Sequence, residues 1–156
     1  MSKSASLTIA GRYDQVQSLC AFVAQAAQAA GLAGDVIFHL ELCCDEASTN
    51  IIEHAYGGED VGNIQATCEA TPEAFRVVLR DHGQPFDPSQ VPHPPQLREQ
   101  EPDGDASLTD VLDHLQVGGL GIHFMRQLMD EVHYSFDDTD GNKLVLVKYI
   151  TAGAGE

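Results

Sequence analysis

The chain has 156 residues, of which 43% are hydrophobic, and its 24 acidic and 8 basic side chains give a formal net charge of -16. That length and apolar content suit one domain with a sizeable core, taken as residues 1–156, while the scattered Lys3, Arg12, Arg76, Arg80, Arg98, Arg126, Lys143 and Lys148 form no basic stripe for phosphates, so direct nucleic-acid binding is not expected, and the acidity suits either simple solubility or a basic partner protein. No apolar run approaches the roughly 18 residues that cross a membrane, and MSKSASLTIAGRYD lacks the apolar stretch of a secretory signal, so a cytoplasmic protein without membrane attachment is expected.

The elements follow in chain order. Alternation predicts a strand from Ser6 to Ala10. Asp14 is placed to cap a helix running through VQSLCAFVAQAAQAA, which Gly31 ends. A second helix is predicted from Asp35 to Tyr56, capped by Asp35 and stopped by Gly57 and Gly58. NIQATCEA and FRVVLRD read as strands joined by a Thr71-Pro72 turn.

Six of the seven prolines then fall between Pro85 and Pro102, which rules out regular structure there and predicts a long, lid-like loop over residues 88–117. VGGLGIHFMRQLMDEV opens with glycines and becomes a helix with Ile122, Met125, Met129 and Val132 on its apolar side. HYSFDD and KLVLVKYI close the chain as strands joined by a turn at Thr139-Asp140-Gly141-Asn142. Helices that cluster early and strands joined by short connections predict an α+β, two-layer sandwich: a mixed, mostly antiparallel sheet with helices on one face.

Chemistry-bearing residues gather in three places. In DEASTNIIEHAY, helical spacing sets Glu46 and Asn50 one turn apart, with Glu53 beyond them. Leu40, Cys43, Cys44, Ala47, Ile51 and Ala55 share the adjoining face and read as its buried side, so the carboxylate and the amide stand where a pocket wall would be. The same pattern also suits an Asn50 bonded locally and a solvated Glu46.

Asp81-His82-Gly83 ends an apolar strand. An aspartate there can accept hydrogen bonds from a flat heterocycle packed on the Gly83 backbone, although a turn former would look the same. Gly118-Gly119-Leu120-Gly121 starts a helix, where free N–H groups and a partial positive charge suit a phosphate, although a flexible hinge would look the same. Cys20, Cys43, Cys44 and Cys68 lack CxxC spacing and read as reduced, buried thiols. His39 and Cys43, one turn apart, have no second ligand pair, so a metal site built from Cys and His is not expected.

Together, in this order, ELCCDEASTNIIEHAY, RDHGQPFDP and GGLGIHFMRQLMDEV resemble the asparagine box and the two glycine boxes of the GHKL (Bergerat-fold) ATP-binding superfamily. The wording is most similar to that of the bacterial anti-sigma factors with serine-kinase activity, and the likeness runs from about Phe38 to Lys148. The resemblance implies an ATP- and Mg2+-dependent serine/threonine protein kinase acting on an anti-sigma antagonist of the STAS type. It also implies a sigma factor as a second partner and allows a homodimer; the alternative is a non-catalytic nucleotide-binding module that sequesters its partner.

By the same resemblance, Glu46 is the general base, Asn50 the Mg2+ ligand and Asp81 the acceptor for the adenine amine. Gly83 lets the ring sit close, Gly119 and Gly121 offer N–H groups to the phosphates, and His54 supports the pocket or packs in the core. One departure is plain: Arg98 is the only basic side chain between Pro88 and Val117, where the family's lid often carries one.

Overall fold

The computed structural model describes residues 3–87 and 125–150. Five strands, β1 (Lys3–Ala10), β2 (Asn63–Ala70), β3 (Ala74–Asp81), β4 (Glu131–Asp137) and β5 (Gly141–Tyr149), form one sheet in the order β1-β2-β3-β5-β4. Every one of these pairings is antiparallel. Two helices, α1 (Tyr13–Ala29) and α2 (Gly34–Asn50), cover one face.

Strand alternation decides which side chains meet the helices. Ile9, Ile64, Ala66, Cys68, Phe75, Val77, Leu79, Leu144 and Leu146 point inward and join Val16, Leu19, Cys20, Val23 and Ala27 of α1 in one buried core. From α2, Leu40, Cys43, Cys44 and Ala47 join the same core, with Ile51 and Ala55 just beyond it. Val78, Val145 and Val147 lie on the opposite face as a small separate cluster. All four cysteines are free and buried, and burial pushes each thiol above its usual range, so they act as small apolar core residues.

Three boundaries differ from the sequence expectation. Asp14 does not cap α1. The cap position is Arg12, and the Asp14 carboxylate instead pairs with the Arg12 guanidinium at 3.0 Å inside the first turn, where a negative charge still suits the helix dipole. Asp35 likewise sits in the first turn of α2, one position past the start, with Ala33 at the cap. Gly31 ends α1 as expected, with Leu32 N–H donating to the Ala27 carbonyl and Gly31 N–H to Gln28.

The third difference bears on function. The predicted helix to Tyr56 changes geometry at Asn50, and Ile51–Ala55 is a π-helical turn in which Tyr56 N–H donates to the Ile51 carbonyl at 2.9 Å. Such turns occur often at functional sites because they re-aim a stretch of side chains. At the other end of the chain, residues 125–128 are helical, but Glu131 and Val132, expected on that helix, belong to β4. Lys148 Nζ donates to the Leu128 carbonyl at 2.9 Å and closes this helical turn. The proline-rich segment 88–117 and the glycines of 118–121 lie outside the described residues.

Candidate functional site

The end of α2, the π-helical turn, the end of β3 and the start of β5 converge on one pocket. Its empty volume is about 360 Å3 with its mouth included. Ala47, Ile51, Ala55, Leu79, Phe86, Met125 and Leu144 form its apolar walls, and Asn50, Asp81, Tyr134 and Asn142 supply its polar groups. An apolar slot with a few converging polar groups is the usual form of a small-molecule site.

Glu46 and Asn50 stand together as helical spacing requires. Asn50 Nδ2 donates to Glu46 Oε2 at 2.8 Å, and the two residues are 4% and 9% exposed respectively. Burial pushes the Glu46 carboxyl up to about 7, while the Asn50 bond pulls it down and the nearby Asp45 and Glu53 carboxylates push it further up. Asn50 spends one amide N–H on Glu46, and its carbonyl oxygen, which accepts no bond among the described residues, is a hard donor of the kind Mg2+ takes. Mg2+ commonly keeps several waters and takes substrate phosphate oxygens, so a single protein oxygen suits it; among the described residues no group of three His, Cys, Asp or Glu side chains could hold a metal. Glu53, in contrast, is exposed and bonded to the Tyr13 hydroxyl at 3.4 Å.

Across the pocket, Asp81 ends β3 and is 2% exposed. Its Oδ1 accepts from Gly83 N–H and from Asn142 Nδ2, both at 2.9 Å. Burial raises the Asp81 carboxyl above its usual range, and those two bonds work against the rise. Gly83 is needed by the chain itself: a Cβ there would sit 2.5 Å from the carbonyl carbon of Ala55, whose oxygen accepts from Gln84 N–H at 2.8 Å. Gly83→Ala is therefore expected to cost about 1–3 kcal/mol of stability by overpacking; a denaturant midpoint equal to wild type would contradict this contact.

His54 is half-exposed rather than a core histidine. Its ring stacks on Phe86 with centroids 4.8 Å apart and planes at 15°, and its carbonyl accepts from Gln84 Nε2 at 2.7 Å, so it backs the pocket wall from outside. Gly119 and Gly121 lie outside the described residues.

Sequence reasoning missed Asn142 and Tyr134. Asn142, expected in a turn, is the second residue of β5 at the inward-facing parity of Leu144 and Leu146, and a polar residue at that parity is the available signal. Gly141, at φ 77°, makes this possible by letting the strand start against the Asp81 carbonyl, where a Cβ would collide.

Residues 9–148 match the family described as the histidine kinase-like ATPase domain. The chain belongs to that family. As an ATPase domain it binds ATP and ADP. Among curated relatives, the serine-protein kinase RsbW of Listeria monocytogenes serotype 4b (strain F2365) is 32% identical over 124 residues, 80% of this chain and 73% of that protein. The serine-protein kinase RsbW of Bacillus velezensis is 30% identical over 120 residues, 77% of this chain and 69% of its own length. That of Bacillus cereus (strain AH187) is 30% identical over 128 residues, 82% and 73% of the two chains. Likeness of that extent places the chain in the family of these serine-protein kinases. No helix among the described residues is long and apolar enough to cross a membrane.

Proposed function

We propose that this protein is a serine/threonine protein kinase that transfers a phosphoryl group from Mg2+-ATP to a hydroxyl of an anti-sigma antagonist protein. The observation that carries the reading is the buried Glu46–Asn50 pair, held at 2.8 Å beside the pocket that Asp81 closes from the other side. A binder needs an anchor for the base and oxygen ligands for a metal; it does not need a buried carboxylate one turn from the metal ligand.

Bound Mg2+-ATP supplies the activated phosphoryl group and charge neutralisation. The chain supplies position. Asp81 orients the adenine amine, and the Asn50 carbonyl holds the metal. Glu46 takes the proton from the partner's serine or threonine hydroxyl as it attacks. Phosphoryl transfer is mostly positioning and electrostatics, so few protein groups are required. Gly119 and Gly121 are assigned to the phosphates by the family pattern, and residues 88–117 to a lid. The single domain 1–156 and the sigma factor as second partner belong to the same reading.

Nucleotide affinity in the micromolar range, about -8 kcal/mol, is expected by calorimetry with Mg2+ present, and weaker binding without it. Incubation with labelled ATP and STAS-type proteins encoded nearby is expected to label one of them on serine or threonine. Tight nucleotide binding and partner capture without any transfer of label would make the protein a sequestering module instead.

A further inference from the structure

The geometry points to Asn142 as a positioning residue for base recognition: it locks the Asp81 carboxylate with one oxygen turned to the chain and the other to the pocket, and so enforces a 6-amino over a 6-oxo purine. This deepens the proposed function and rests on its assignment of Asp81 to the base.

Asn142 is 3% exposed and is the direct cross-strand partner of Asp81. Its carboxamide is fully used. Nδ2 donates to Asp81 Oδ1 and to the Gln84 carbonyl, each at 2.9 Å. Oδ1 accepts from Phe86 N–H at 3.2 Å and from the Tyr134 hydroxyl. A side-chain amide has two donors and two acceptor lone pairs, so Asn142 lines the pocket with nothing left to give a ligand. Its work is done on the protein: one bond to Asp81, two to the backbone of the segment that leads out of β3 and one with the Tyr134 hydroxyl.

The consequence falls on Asp81. Gly83 N–H and Asn142 Nδ2 both land on Oδ1. Two donors on one oxygen fix the plane of the carboxylate, whose terminal torsion is otherwise broad and two-fold. Oδ2, which receives no donor among the described residues, is then held as a bare acceptor. A 6-amino group satisfies it. A 6-oxo group brings a second acceptor against it, leaving two buried lone pairs opposed. With Gly83 N–H as the only tether, the carboxylate can turn aside and the penalty against the oxo base falls.

The test is calorimetry on the full chain with ATP and with inosine triphosphate, which replaces the 6-amino group by oxygen. Wild type is expected to prefer ATP by about 100-fold or more, since a site built for one hydrogen bond rejects the analogue that lacks it. Asn142→Ala is expected to shrink that ratio by about tenfold or more, through weaker ATP binding and a smaller penalty against inosine triphosphate. Should Asn142→Ala give no cooperative melt, Asn142→Leu, which is close in size and has no donor, takes its place and the same ratio decides. A folded variant with the wild-type ratio, or with both nucleotides weakened equally, overturns the role of Asn142. A wild-type ratio near one overturns it too, at the earlier step of assigning Asp81 to the base.

Discussion

Glu46→Gln is expected to bind Mg2+-ATP with nearly wild-type affinity and to phosphorylate its partner about 10²–10⁴-fold more slowly, the usual worth of general-base assistance. Glutamine keeps the size of the side chain and an oxygen for the Asn50 N–H bond, so the local geometry survives; what disappears is the proton acceptor. The pH dependence follows from the same burial. The wild-type carboxyl titrates at about 7 in the fold, so the basic form grows as pH rises through neutrality. Transfer should therefore climb about tenfold between pH 6 and pH 8 and then level, with no such rise left in the glutamine variant.

Stability runs the other way. The ordinary glutamate value of 4.5 is raised to about 7, so the folded protein holds a proton that the unfolded chain releases. The resulting stabilisation is complete below the unfolded value and is lost as pH rises through the folded one. The melting temperature of Glu46→Gln should thus gain on wild type across that window. Equal transfer rates for the two proteins, or a variant that melts in parallel with wild type at every pH, would remove Glu46 from the role of buried base.

Asp81→Asn is expected to weaken ATP binding by about 10²-fold, the size of a hydrogen bond to a charged group lost together with a donor left unmatched. Asn142 and Gly83 both donate to Oδ1, so an asparagine here settles with its oxygen toward them and its NH2 toward the pocket. The adenine amine then faces another donor. The same NH2 suits a 6-oxo group, so inosine triphosphate should bind the variant better than it binds wild type. Because a buried carboxylate is replaced by a neutral isostere, the fold should be no less stable. Unchanged ATP affinity would place the base elsewhere; a loss of ATP binding accompanied by unfolding would reduce Asp81 to a structural residue.

Much of the fold was legible because local periodicity reports local burial. NIQATCEA alternates and became β2, FRVVLRD with its apolar run Val77-Val78-Leu79 became β3, and the face of α2 carrying Leu40, Cys43, Cys44 and Ala47 is the buried one. Helical spacing alone put Glu46 within reach of Asn50, since both lie on one element. Caps were less legible: Asp14 and Asp35 are good cap residues, but the chain enters each helix earlier, where Arg12 pairs with Asp14 and with Asp60 from a distant loop. The end of the last helix was misplaced because Glu131 and Val132 suit helix and strand alike, and pairing with Val147 and Leu146 of β5 decided for strand.

What the chain carries in its own local order, then, is the set of elements, the inward faces and the pairing of Glu46 with Asn50, because each depends on neighbours a few residues apart. The tertiary structure alone decided the π-helical turn after Asn50, the approach of Gly83 to Ala55 and the bond from Asn142 to Asp81, 61 residues away in sequence. Those features arise where separate strands and a helix end are pressed together, and a contact of that range leaves no periodic trace in the sequence that encodes it.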